Sequence, residues 1–126
     1  MNTSVLVREI GDAHVRVAVR SLSDRTVSRR PARELGIAIG ALQQAYETYA
    51  ALTKRLENKW FFASDEKIAE AREKTVECLL LIATCYHYEK DVALRKRYLR
   101  KAMIEFDWYL VHVGGMPDTR LDEEDD

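Results

Sequence analysis

The chain has 126 residues, a length that fits one domain with one hydrophobic core. Apolar residues make up 47% of it and charged residues 33%, while two prolines and five glycines offer few turns for a β-rich architecture. No apolar run approaches the roughly 20 residues of a membrane-spanning helix, and charged residues follow soon after residues 1–4, so we expect neither a membrane span nor a signal peptide.

The formal net charge of −1 conceals an uneven distribution of charge. Six of the 21 acids lie in residues 118–126, where Arg120 is the only base. Residues 1–117 therefore hold 19 bases and 15 acids, a net charge of +4. We interpret residues 118–126 as a disordered, solubilising acidic tail. The alternative is that this tail competes, within the same chain, for the basic surface described below.

Residues 1–30 allow two interpretations. Valines alternate with other residues on both sides of Gly11, which predicts a short N-terminal β-hairpin followed by a polar linker over residues 21–30. The competing interpretation is a helix, in which Gly11 would cost about 1 kcal/mol relative to alanine. Its support is an apolar series at helical spacing: Leu6, Ile10, Ala13 and Val17. The hairpin is the first choice.

A long helix is predicted from Pro31 onward, because proline suits the first position of a helix. Apolar and aromatic side chains then recur in alternating steps of four and three, which is typical of a coiled-coil packing seam. We name this series the α2 seam and expect it to pack against another helix or another copy: Leu35, Ile39, Leu42, Tyr46, Tyr49, Thr53 and Leu56. Gly36 and Gly40 beside it predict close approach of a neighbouring backbone.

An antiparallel helical hairpin is predicted over residues 64–117. Ser64 is suited to cap the first helix, and Gly114 and Pro117 are suited to end the second. Only residues 89–91 separate the two helices. Residues 78–86 are apolar nearly all round, so either the N-terminal segment or another subunit must cover them. Together with the α2 seam, this apolar surface predicts a homo-oligomer.

The cysteines predict a reducing compartment. Cys78 and Cys85 lie seven residues apart, which on one helix is about 10 Å, too far for a disulfide. We expect reduced core thiols and a cytoplasmic protein.

Candidate chemistry is sparse. The histidines, His14, His87 and His112, have no second ligand at a recognised metal spacing, so no metal or cofactor is expected. No serine lies in a nucleophile elbow and no glycine-rich phosphate loop is present. We therefore expect a protein that is not an enzyme.

A basic cluster is the strongest functional signal. Arginine and lysine predominate over residues 90–101, and their side chains suit phosphate: Lys90, Arg95, Lys96, Arg97, Arg100 and Lys101, with Arg29 and Arg30 as part of a second group. We expect an RNA-binding surface, with Leu99, Ala102 and Phe106 facing inward. The tyrosines Tyr86, Tyr88 and Tyr98 could stack on unpaired bases. The competing interpretation is a solvated face paired with acids: Glu89, Asp91 and Glu105.

Three stretches carry a family resemblance: residues 45–56 (AYETYAALTKRL), 79–86 (LLLIATCY) and 92–102 (VALRKRYLRKA). Their pattern resembles the four-helix-bundle family that contains the accessory variability determinants of diversity-generating retroelements and the proteins encoded in ribosomal RNA intervening sequences. The resemblance covers about residues 33–116. It implies a non-catalytic homopentamer that binds a reverse transcriptase and its template RNA through a basic surface. The helix with Arg95, Lys96, Arg97, Arg100 and Lys101 would contribute to that surface.

The predicted fold class is thus mainly α, an antiparallel bundle of three to four helices with the N-terminal hairpin. The predicted segments are residues 1–30, the bundle at residues 31–117 and the tail at residues 118–126. The predicted function is an accessory or adaptor protein that assembles with itself and binds a reverse-transcriptase-type partner, RNA, or both. The alternative is a structural assembly subunit that contacts only protein.

Overall fold

The computed structural model describes residues 3–24, 31–58 and 64–112. These residues form four helices: α1 (Thr3–Asp24), α2 (Pro31–Glu57), α3 (Asp65–Tyr88) and α4 (Val92–His112). The closely packed pairs are α1 with α2, α2 with α3, and α3 with α4. The prediction of a mainly α antiparallel bundle is confirmed, and the described part of the chain contains four helices and no strand.

The predicted N-terminal hairpin is wrong, because residues 3–24 form the continuous helix α1. The side chains of α1 that pack inward recur at helical spacing, with Val7, Val15, Ala18 and Leu22 against α2 and α3. Gly11 lies within this inward face and is itself buried. Tertiary packing therefore outweighs both the alternation of valines and the low helix propensity of glycine. The helix continues to Asp24, into the segment predicted as a linker.

The apolar series that favoured a helix in α1 faces solvent. Leu6, Ile10 and Val17 are each more than 40% exposed. Their spacing correctly indicated a helix, but the core lies on the other side of α1. A pattern of spacing reports the period of a structure and does not by itself identify which stripe is buried.

The α2 seam lies largely inside the chain. Leu35, Leu42 and Tyr49 are buried in clusters that join α2 to α1 and α3. Ile39 and Thr53 are also buried, and Tyr46 and Leu56 are half-buried. These side chains therefore offer little free surface to a second copy.

The prediction for Gly36 and Gly40 is wrong. Both glycines are exposed, and among the described residues no atom of a neighbouring element would lie within 4 Å of a Cβ built at either position. The glycine that allows a close approach is Gly11, where a Cβ would lie 2.9 Å from a carbon of the Tyr49 ring.

The turn between α3 and α4 is defined by backbone hydrogen bonds. The Lys90 N–H donates to the His87 carbonyl at 3.1 Å and the Asp91 N–H donates to the Tyr86 carbonyl at 3.0 Å. This is a Schellman motif, and Lys90 occupies its left-handed position with φ 64°. Asp91 then accepts a hydrogen bond from the Leu94 N–H at 3.1 Å and caps α4.

The start of α3 is as predicted. The Ser64 hydroxyl accepts a hydrogen bond from the Lys67 N–H at 3.3 Å, and Asp65 and Glu66 lie in the first turn, where the helix dipole favours acids. The predicted end of α4 at Gly114 and Pro117 lies outside the described residues, as does the acidic tail.

The apolar stretch of α3 is covered on two sides by its own chain. Ile82 and Cys85 belong to a cluster that includes Ala18 of α1, whereas Leu79 packs with Ala102 of α4. Tyr98 of α4 also packs against the first of these clusters. The helices that pack closely on α3 are α2 and α4, while α1 contributes Ala18 to the first cluster. Of the two alternatives predicted for this stretch, the N-terminal segment thus supplies part of the cover, and cover by another subunit stays a prediction. Among the described residues, no helix combines the length and apolar character needed to cross a membrane.

Candidate nucleic-acid interface

The predicted basic residues of the α3–α4 region lie on one turn and one helix. Lys90, Lys96, Arg97 and Lys101 are exposed. Arg95 and Arg100 are half-buried. We call these six residues the basic face. Arg29 and Arg30, which were predicted to extend it, lie outside the described residues.

Two of the three acids that could have neutralised the basic face are engaged elsewhere. Asp91 caps α4. Glu105 accepts a hydrogen bond from Nη1 of Arg72 at 2.6 Å. Among the described residues, Glu89 forms no ion pair, and neither do Lys96 and Arg97. Lys96 and Arg97 therefore carry positive charge without a paired carboxylate in the described part of the chain.

Arg95 is held in the corner between α3 and α4. Its Nη1 lies 3.0 Å from Nδ1 of His87, and its Nε is buried without a hydrogen-bond partner among the described residues. A guanidinium can only donate, so Nδ1 of His87 accepts in this arrangement. Arg95 thus anchors the turn, and the exposed members of the basic face are better placed to contact a ligand.

Two of the three tyrosines near the basic face pack against the hydrophobic core. Tyr86 and Tyr98 stack with ring centroids 5.6 Å apart and an interplanar angle of 26°. The Tyr98 hydroxyl accepts a hydrogen bond from Gln43 Nε2 at 3.4 Å, and burial raises the pKa of Tyr86 above its ordinary value. Tyr88 is different, because 47% of it is exposed. Tyr88 is therefore the member of this group that presents a ring to solvent.

Lys101 extends over the Tyr98 ring, with its Nζ 5.3 Å from the ring centroid. A cation at this distance from an aromatic face is attracted by the ring quadrupole. The contact orients the ammonium group of Lys101 beside the basic face while leaving the residue exposed.

The inward face predicted for α4 is partly wrong. Ala102 is buried as predicted, but Leu99 and Phe106 are 38% and 49% exposed. Together with two further exposed side chains they form what we call the outer stripe of α4: Val92, Leu99, Met103 and Phe106. Since a helix turns about 100° per residue, Arg97 points about 160° away from Leu99. The outer stripe and Arg97 thus lie on different sides of the helix.

An arginine network that the sequence did not indicate ties three helices together. Arg72 of α3 donates from Nη2 to Oε1 of Glu57 in α2 and from Nη1 to Oε2 of Glu105 in α4, both at 2.6 Å. Its guanidinium carbon lies 3.8 Å from the centre of the Trp108 ring. The sequence signal was an arginine between the buried residues Ala71 and Thr75 of α3. Such a position forces the arginine stem along the core.

The two cysteines are buried and unpaired. Burial raises the pKa of Cys78 to about 12 and that of Cys85 to about 11. A buried thiol with a raised pKa holds its proton and is a poor nucleophile. Within the described residues, no three His, Cys, Asp or Glu side chains converge in a group that could hold a metal ion.

No family model, curated protein or solved structure matches the chain. What the structure establishes is the class of fold, a four-helix bundle whose described helices pack in chain order.

Proposed function

We propose that this protein is a non-catalytic accessory subunit that assembles with itself and binds RNA, a reverse-transcriptase-type partner, or both, by the basic face. The observation that carries the proposal is the charge on α4: exposed Lys96 and Arg97 form no ion pair among the described residues, and Glu105 is committed to Arg72. The family resemblance supports the choice of a reverse transcriptase as the partner.

Binding of this kind gains its free energy from phosphate neutralisation. Lysine and arginine displace condensed counterions, so affinity falls steeply as salt rises. Tyr88 would add stacking on an unpaired base, worth about 1–3 kcal/mol in single-strand binding sites. No base-specific contact is required, so we expect the complex to form with RNA of varied sequence.

The test is fluorescence anisotropy with a labelled single-stranded RNA between about 50 and 200 mM salt, the range over which phosphate contacts lose most affinity. The variant replaces Lys96, Arg97 and Lys101 by alanine. Each lost phosphate contact should reduce the slope of log K against log salt by about 0.7, so the slope should fall by about 2.

The matched control replaces Arg16 and Arg20, which are exposed on α1, by alanine. It should leave affinity and slope close to those of the wild type. Equal losses in both variants would show diffuse attraction to the whole chain, and an absence of binding at low salt would refute the proposal.

The second candidate is a structural assembly subunit that contacts only protein. The exposed apolar side chains of α1 and α4 favour it, because apolar patches on a small domain mark sites of protein contact. A stable oligomer that fails to bind RNA at low salt would support this candidate over the first.

A further inference from the structure

His87 and Arg95 make one direct contact across the corner between α3 and α4. Nη1 of Arg95 lies 3.0 Å from Nδ1 of His87, which is in the last turn of α3. In the described part of the chain this is the only side-chain hydrogen bond of Arg95, and the residue forms no ion pair there. Its Nε is buried without a partner among the same residues. Because an unpaired buried donor costs free energy, the contact with His87 is what holds the guanidinium in the corner.

The contact requires a neutral His87. A guanidinium has only N–H donors, so Nδ1 of His87 must be the acceptor and the ring proton must lie on Nε2. A second proton on the ring would turn Nδ1 into a donor and would place one cation beside another. His87 is exposed, so water can deliver this proton, and the C-terminal turn of a helix stabilises a cation. Protonation of His87 therefore replaces its hydrogen bond with Arg95 by repulsion.

Both acids and bases belong to the elements that meet at this corner. The Tyr88 ring lies edge-on to His87, with the ring centroids 5.5 Å apart. The start of α2 and the second half of α1 reach this end of α3, since Leu35 and Leu22 pack in the cluster of Cys85. Besides Arg95, the charged residues of these elements and of the turn are Arg20, Arg33, Glu34, Glu89, Lys90 and Asp91. Between about pH 5.5 and 7.5, carboxylates stay charged, and arginine, lysine, tyrosine and cysteine keep their protons. Histidine is the side chain that titrates in this range, so a response there acts through His87.

We propose that His87 is a pH switch for Arg95: the neutral ring holds the guanidinium in the corner, and the protonated ring releases it to the basic face. The released guanidinium joins Lys96 and Arg97, its exposed neighbours on α4, and His87 itself adds a second positive charge. RNA should therefore bind more tightly in mild acid. The switch depends only on the geometry of the corner, whereas its effect on RNA rests on the proposed function.

The first test follows the side-chain nitrogens of His87 and Arg95 by NMR in the full chain without RNA, between about pH 7.5 and 5.5. At the upper pH, His87 should carry its proton on Nε2. As His87 titrates, the Arg95 Nε resonance should move, with the same midpoint, toward that of a solvated arginine. In the control His87→Asn, an amide oxygen can accept from Arg95 but does not titrate, so the Arg95 signal should stay constant. A proton on Nδ1 at the upper pH, or an Arg95 signal that ignores the titration of His87, would overturn the inference.

The second test measures the affinity for labelled single-stranded RNA at the same two pH values in about 0.1 M salt. A salt slope of about 0.7 for each phosphate contact corresponds to about fivefold in affinity at this salt. One or two added contacts should therefore tighten binding by about fivefold to 25-fold in mild acid.

His87→Asn should lose this gain, and His14→Gln, which removes a histidine of α1, should keep it. Equal gains in the wild type and His87→Asn, or no gain in the wild type, would overturn the regulation of RNA binding and leave the proposed function intact. A chain that binds no RNA at either pH would refute the proposed function, while the NMR titration would still decide whether His87 switches Arg95.

Discussion

The guanidinium of Arg72 stacks on the ring of Trp108, 3.8 Å from its centre. The same group donates to Glu57 and Glu105, so one side chain of α3 connects the end of α2 to the second half of α4. Only 16% of the Arg72 side chain is exposed. Screening by solvent is therefore weaker here than at the surface pairs of the bundle.

Arg72→Ala should lower the free energy of unfolding by about 2–3 kcal/mol, because two carboxylates lose a partly buried partner and Trp108 loses its cation. Arg72→Lys should recover only part of this, since an ammonium cannot bridge two carboxylates in a planar fork. Urea unfolding measures both. Lys74→Ala, which removes the half-exposed pair with Glu77, should cost less than about 1 kcal/mol. Similar losses at Arg72 and Lys74 would contradict this role.

Gly11→Ala should destabilise the protein although alanine favours helices. The new Cβ would lie 2.9 Å from the Tyr49 ring, and Tyr49 is fully buried and bonded to Asp12, so the ring cannot move away cheaply. We expect overpacking of about 1–3 kcal/mol to exceed the gain in propensity. Thermal unfolding followed at 222 nm tests this.

Gly36→Ala is the matched control for Gly11 and should have the opposite sign. Gly36 is exposed in α2, and no neighbouring group in the described part of the chain lies within 4 Å of its added Cβ. With no clash to offset it, the higher helix propensity of alanine should stabilise the protein by about 1 kcal/mol. A lower melting temperature for Gly36→Ala would show that α2 has a neighbour on this side.

Lys90→Gly should stabilise the bundle, because Lys90 adopts φ 64° at the left-handed position of the Schellman motif. A residue with a Cβ pays about 1–2 kcal/mol in this conformation, and glycine does not. Lys90→Ala removes the same charge but keeps the strain, so its stability should match the wild type. Urea unfolding of the two variants separates backbone strain from charge. Equal stabilities of Lys90→Gly and Lys90→Ala would argue against strain.

Stability should fall as the pH rises above about 9. Burial raises the pKa of Cys78 to about 12 and that of Cys85 to about 11, from an ordinary value of 9.0. Burial and the hydrogen bond to Asp12 raise the pKa of Tyr49 as well. Unfolding lets these groups lose protons, so the stability is complete below the unfolded pKa values and is lost as the pH rises toward the folded ones.

Melting temperatures between pH 8 and 11 measure this loss, and Cys85→Ala should flatten it because one titrating group is removed. A pH dependence identical to the wild type would show that Cys85 does not contribute.

The sequence by itself determined the features that depend on local chemistry. The Ser64 cap, the turn at residues 89–91 and the period of α2 follow from side chains acting on their own backbone or recurring along one helix. The basic cluster is likewise a property of the residues themselves. For these features, neighbours in the sequence are also neighbours in space, and so the linear pattern contains the relevant physics.

Only the tertiary structure decided which stripe of each helix is buried. Helix α1 forms instead of a hairpin because it packs on α2, where the Tyr49 ring lies against Gly11. These two residues are more than thirty positions apart in the sequence. Tertiary contacts also fix the orientation of α4, where Glu105 accepts a hydrogen bond from Arg72 and the outer stripe faces solvent. These outcomes depend on the burial and charge of partners distant in sequence, which periodicity cannot report.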